Sequence, residues 1–265
     1  MSRLTHTFER LRQGTAPGLV AYVTAGDPDF ARSRDVVLAI AEAGADVIEV
    51  GVPFSDPIAD GPVIQRATER ALAAGGSLTA ALALVAEVRR TIDTPIVLFT
   101  YVNPVARMGV ELFVDRAVAA GVDGVLVLDL PIEEADQMHA AFERRGLDTI
   151  FLISPTTTVA RLARAAELGR GFLYAISRLG VTGARDQVAG TARPVVDRIR
   201  DVTAMPVALG FGVSRPEHVQ EIAQYADAAV VGSALVQVIA DAAPGTEAAA
   251  AATFVRWLKG SDGRV

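Results

Sequence analysis

Eight short apolar runs, separated by amphipathic stretches, constrain the fold more than any other feature of this sequence. They are GLVAYVT (18–24), DVIEV (46–50), PIVLFTY (95–101), GVLVLDL (124–130), DTIFLIS (148–154), GFLYAIS (171–177), PVALG (206–210) and DAAVVG (227–232). Each is rich in Val, Ile, Leu or aromatic residues and apolar on both faces, as expected of a parallel strand covered on both sides. The intervening segments have helical spacing, as in Val36, Val37, Ile40 and Ala41, or Leu82, Val85 and Val88. Several of them end on glycine and turn straight into the next run: AEAGADVIEV, VAAGVDGVLVLDL and ERRGLDTIFL. Gly44, Gly121 and Gly146 are therefore placed to close helices in the left-handed conformation. The first two of these blocks share the order A-G-x-D, strand, acidic residue, proline, so one βα unit is used repeatedly.

Eight strands with intervening helices predict an α/β fold, a single (β/α)8 TIM barrel forming one domain over residues 1–265. An open doubly wound sheet is the alternative, but the first strand lacks the G-x-G-x-x-G turn of a dinucleotide site. Leu4, Phe8 and Leu11 share a helical face, which predicts an extra N-terminal helix against the barrel bottom. The net charge of -6 argues against nucleic acid or an anionic membrane as a partner. There is no secretion signal at the N-terminus, no apolar run long enough to span a bilayer and no cysteine, so a cytoplasmic location is expected. Lys259 is the only lysine, and His6, His139 and His218 all fall in helical segments. Schiff-base chemistry and a histidine-rich metal centre are thus both disfavoured, and no metal site is expected.

In such a barrel, chemistry sits where the strands end, here at Tyr22, Glu49, Phe99, Tyr101, Asp129, Ser154 and Tyr174. Glu49 alternates with Val47 and should point inward, while Ile48 and Val50 face helices. An inward carboxyl among apolar neighbours is desolvated, which raises its pKa; the structural alternative is a glutamate paired with an arginine. Asp60, in IADGP, is either a second functional carboxylate nearer solvent or a helix-entry residue. Asp56, in SDP, fits turn chemistry. The turns ALGFGVS (208–214) and VVGSAL (230–235) follow strands seven and eight, where this fold commonly binds phosphate. The long segment SRLGVTGARDQVAG (177–190) is a candidate mobile lid, its alternative being a connection without a role.

These residues resemble the tryptophan synthase α-subunit family. The matching pieces are VTAGDPD (23–29), EVGVPFSDPIADGPVIQ (49–65), TYVNP (100–104), LDLPIEE (128–134), SRLGVTG (177–183), GFGVS (210–214) and VGSALV (231–236), in family order along nearly the whole chain. The resemblance implies a lyase that cleaves indole-3-glycerol phosphate to indole and glyceraldehyde 3-phosphate. It implies that Glu49 shuttles protons and that Asp60 holds the ring N–H. Tyr22, Phe99 and Tyr174 would line the indole pocket. Gly183, Gly212, Gly232 and Ser233 would hold the phosphate beside Phe211, and Thr182 of the lid would meet Asp60. Pro53, Asp56, Asn103 and Asp129 would dock a β subunit in an α2β2 complex, with pyridoxal phosphate in that partner and no cofactor in this chain. Phe99 stands where the family often has a smaller aliphatic residue, and Tyr22 where phenylalanine is frequent. Other readings are a stand-alone indole-producing lyase of specialised metabolism, another phosphate-binding barrel isomerase, and a partner protein that has lost activity.

The residues alone suit this chemistry. A retro-aldol cleavage needs an electron sink, which other enzymes supply as a lysine iminium or a metal ion. An indole ring protonated at carbon 3 is such a sink, so two carboxylates suffice.

Overall fold

The computed structural model describes residues 2–14, 18–176, 189–210 and 212–261. Eight parallel strands close into a barrel in sequence order: β1 (Gly18–Thr24), β2 (Val47–Gly51), β3 (Ile96–Thr100), β4 (Gly124–Val127), β5 (Asp148–Ile153), β6 (Leu173–Ile176), β7 (Val207–Gly210) and β8 (Ala228–Val231). The described helices are α1 (Arg3–Gln13), α2 (Phe30–Glu42), α3 (Pro62–Ala73), α4 (Leu78–Val88), α5 (Val102–Met108), α6 (Val110–Ala120), α7 (Asp136–Arg144), α8 (Val159–Leu168), α9 (Ala189–Arg200), α10 (Pro216–Ile222), α11 (Ser233–Asp241) and α12 (Glu247–Leu258). Among the described residues no single helix is long and apolar enough to cross a membrane; α3 and α4 reach that length only together, bent by 91°.

Alternation along the strands divides the core in two. Ile48, Val50, Ile96, Leu98 and their counterparts face outward and pack against the helices. Val20, Val47, Val97, Leu126, Ile150, Phe172, Ala208, Ala228 and Val230 fill the barrel interior. Helix α1 closes the lower end, sending Leu4 and Phe8 into that inner cluster with Leu11 packed beside them. The Phe8 and Phe172 rings lie 5.1 Å apart.

The A-G-x-D repeat has a clear structural use. Gly44, Gly121 and Gly146 all have positive φ, at 98°, 86° and 74°, so each reverses the chain at a helix end. After Gly44 and Gly121 the aspartate two residues on reaches sideways to an N–H of the neighbouring strand, whereas Asp148, after Gly146, accepts from the Ser2 hydroxyl at 2.5 Å. Asp46 accepts from Leu19 N–H at 3.0 Å and Asp123 from Ile96 N–H at 2.8 Å. Asp227, at the start of β8, does the same for Val207 at 2.7 Å. These aspartates also hold α1 in place, through Arg10 to Asp46, Arg3 to Asp123 and Arg12 to Asp227. Lys259 reaches Asp46 at 2.6 Å.

Two sequence boundaries need correction. Strand β4 ends at Val127, although the apolar run continues to Leu130. Beyond it, the Asp129 side chain turns away to accept from Val102 N–H at 2.7 Å, and Pro131 has no N–H to donate to a ladder. The segment 177–190 overlaps α9, which begins at Ala189; residues 177–188 lie outside the described residues.

Candidate active site

One cleft opens at the C-terminal mouth of the barrel. It brings together Tyr22, Glu49, Asp60, Phe99, Tyr174, Gly212, Gly232 and Ser233, and contains about 660 Å³ of empty space with its open mouth included. These are eight of the residues expected from the sequence. Thr182, Gly183 and Phe211 lie outside the described residues.

Glu49 points inward from β2 between Val47 and Gly51 and is completely buried. Neither carboxyl oxygen has a hydrogen-bond partner among the described residues, so no described arginine pairs with it. Burial alone raises its pKa to about 8, because the charged form loses its hydration with nothing to replace it. At neutral pH this group is mostly a carboxylic acid.

Asp60 reaches the cleft from the loop between β2 and α3. The chain turns there through hydrogen bonds from Ile58 N–H to the Asp56 carbonyl and from Asp60 N–H to the Pro57 carbonyl, at 2.9 and 3.0 Å. Gly61 is the N-cap of α3 and Pro62 opens the helix, so Asp60 is not the capping residue. Nor is it near solvent, as its place in a loop suggested: it is 6% exposed. Burial pushes its pKa to about 6, while a hydrogen bond from Tyr101 pulls the other way. The two carboxyls therefore ionise in order, with Asp60 before Glu49.

Tyr101 is a strand-end residue for which the sequence pattern indicates no role. It lies just past β3, and its hydroxyl accepts from Ala59 N–H at 3.1 Å while donating to Asp60. Phe54 packs on the same ring at 5.2 Å, and Gln65 donates to the Asp60 carbonyl at 2.8 Å. The loop that presents Asp60 is thus fixed from three sides. The available signal was the alternation Phe99, Tyr101, which puts both side chains on the mouth side.

The apolar part of the cleft is formed by Tyr22 and Phe99, whose rings meet edge to face at 5.2 Å and 76°, with Ile64 behind them. At the other side lie the glycine turns. Gly212 has φ +62°, and Gly232 is the N-cap of α11 with no side-chain cap, so backbone N–H groups face this end of the cleft. Among the described residues no cluster of His, Asp or Glu could hold a metal ion.

The rim residues divide. Pro53 and Asn103 border one open groove with Phe54, Leu72 and Leu112. Asp56 borders an adjoining groove on the other side of Phe54, and Asp129 is committed to Val102.

The family model described as tryptophan synthase alpha chain matches residues 8–259. The chain belongs to the tryptophan synthase alpha chain family. It is 53% identical over 243 residues to the tryptophan synthase alpha chain of Methylococcus capsulatus, covering 91% of each chain. With that of Geotalea uraniireducens it shares 50% over 237 residues, 89% of each. The fold matches tryptophan synthase subunit alpha from Legionella pneumophila with a TM-score of 0.91 at 34% identity, over 98% of both chains. A chain of Mycobacterium tuberculosis tryptophan synthase gives a TM-score of 0.91 at 41% identity, again over 98% of both. The chain is accordingly a lyase of tryptophan biosynthesis that cleaves indole-3-glycerol phosphate.

Proposed function

We propose that Glu49 and Asp60 perform this cleavage as acid–base and electrostatic partners. The observation that carries the reading is a pair of buried carboxyls in one cleft, pushed to about 8 and about 6, beside an apolar wall and glycine turns. Glu49, protonated at neutral pH, gives its proton to carbon 3 of the indole ring. Positive charge then develops on the ring nitrogen, and ionised Asp60 accepts the ring N–H and stabilises that charge. Glu49, now a carboxylate, takes the proton from the side-chain hydroxyl. The oxygen electrons form the aldehyde, the carbon–carbon bond breaks, and its electron pair returns to the ring, releasing indole and glyceraldehyde 3-phosphate. A group near neutral pKa suits both transfers.

Tyr22, Phe99 and Tyr174 contact the ring in this reading. Gly212, Gly232 and Ser233, together with Gly183 and Phe211, bind the phosphate end, and Thr182 meets Asp60 from a lid. The partner is a pyridoxal-phosphate β subunit in an α2β2 complex, docked on the rim of Pro53, Asp56, Asn103 and Asp129. Ile58, 78% exposed at the tip of the same loop as Asp60, gives that face an apolar contact close to the chemistry. The setting is cytoplasmic, and the chain itself uses no cofactor. The test is incubation of the purified chain with indole-3-glycerol phosphate: indole should appear, and should be lost in Glu49→Gln and Asp60→Asn. Indole release that survives both substitutions would overturn the assignment.

A further inference from the structure

Helix α6 sends its polar side chains two ways. Glu111 and Asp115, one turn apart, are taken by Arg144 and Arg145 at the end of α7, each pair at 2.8 Å. Leu112 and Arg116, also one turn apart, border instead the open groove that holds Pro53 and Asn103. Arg107 reaches the same groove from the last turn of α5. Neither Arg107 nor Arg116 has an ion-pair or hydrogen-bond partner among the described residues. No described carboxylate lines this groove. The carboxylates of this face, Asp56 and Glu69, line the adjoining groove, and Asp56 accepts from the Ser55 hydroxyl at 2.6 Å.

On a chain of net charge -6, a groove bordered by two unpaired guanidinium groups has the opposite sign to the whole. Its floor is apolar, with Phe54, Met108, Leu72 and Leu112, the last two 36% and 46% exposed. It contains about 1130 Å³ of empty space with its open mouth included, room for several side chains rather than for one small ion. An apolar floor bordered by charge of one sign fits a segment that presents an apolar side chain between charges of the other sign. The groove also adjoins the chemistry. Phe54 packs on Tyr101 at 5.2 Å, and the Tyr101 hydroxyl holds the N–H of Ala59, the residue before Asp60, at 3.1 Å.

We propose that this groove receives an acidic segment of the β subunit, its carboxylates meeting Arg107 and Arg116 and an apolar side chain seated over Leu72 and Leu112. This rests on the β-subunit docking reading above and adds the chemistry of the partner's surface. Continuity with Pro53 and Asn103, which border the same groove, favours that partner over another, and the two free guanidinium groups set the sign of its charge.

The test is titration of the chain with a cognate β subunit, in the wild type, Arg107→Glu, Arg116→Glu, the double variant and Arg90→Glu. Arg90 is the control: it is exposed, follows α4 at the closed end of the barrel beside the Arg89–Asp123 pair, and lies outside the groove. At low salt each reversal in the groove should raise Kd by about tenfold, and both together by about a hundredfold. Arg90→Glu should leave Kd within about twofold. At about 0.5 M salt the wild type and the double variant should draw together. If the wild type binds and the double variant binds equally well, only this proposal falls; if the wild type binds no β subunit, the docking reading falls as well. Equal weakening by Arg90→Glu would trace the effect to net charge and overturn the groove assignment. Self-association of the chain alone, lost in the double variant, would give the groove to a second copy and overturn it too.

Discussion

Glu49 places a charge-bearing group where the described residues offer it no partner, and that has a measurable cost. Its pKa is raised from 4.5 to about 8, so the folded state holds its proton more tightly than the unfolded state does. The resulting stabilisation is fully present below about pH 4.5 and is lost as pH rises through about 8. Glu49→Gln has no proton to lose. Urea denaturation at pH 5 and pH 8.5 should show the variant gaining on the wild type at the higher pH, by an amount on the order of a few kcal/mol. A constant difference between the two proteins across that window would mean that Glu49 is hydrated or paired in solution. Tyr101 tests the second carboxyl. Tyr101→Phe removes the donor to Asp60 and the acceptor for Ala59 N–H, and should lower kcat/KM by roughly tenfold or more while leaving the barrel folded. Full activity in that variant would show that the loop holds Asp60 without it.

At the scale of elements, the barrel is closed below by α1 and open above at its glycine turns. Asp123 ties β3, β4 and α1 together through Ile96 N–H, Arg89 and Arg3. Its side chain is 4% exposed and that of Arg89 12%, whereas that of Arg3 is 47% exposed. Asp123→Ala strands a largely buried guanidinium and a strand N–H, and should cost about 3–5 kcal/mol. Arg3→Ala breaks only an exposed pair and should cost less than about 1 kcal/mol. Equal losses in thermal denaturation would show that α1, not the strand staple, is what Asp123 serves. At the open end, glycerol phosphate should stabilise the chain and glycerol should not. At a hundredfold excess over Kd the gain should be about 2.7 kcal/mol. Equal protection by both compounds would remove the phosphate site from the turns at Gly212 and Gly232.

For the whole molecule, the barrel was legible because the strands are covered on both faces and several helices close on a turn glycine. Glu49 stood out as a charge inside an apolar run. The A-G-x-D repeat was visible too, but its use depends on barrel register, since Asp46 and Asp123, like Asp227 outside the repeat, each serve a neighbouring strand. The burial of Asp60 and the double duty of Tyr101 arise where a loop after β2 folds over the end of β3, a contact that local pattern does not encode. The early end of β4 has the same origin, in a side chain claimed by α5. The rim around Pro53 and Asn103 should bind a cognate β subunit in sedimentation, with faster indole formation in the complex. No complex would favour a lyase that acts alone. The most direct test of the central claim is steady-state indole release from indole-3-glycerol phosphate by Glu49→Gln beside an intact β subunit. The predicted result is a loss of roughly 10²–10⁴ in rate in a folded protein that still binds glycerol phosphate. Near-normal indole release would contradict the claim that the buried carboxyl carries the protons.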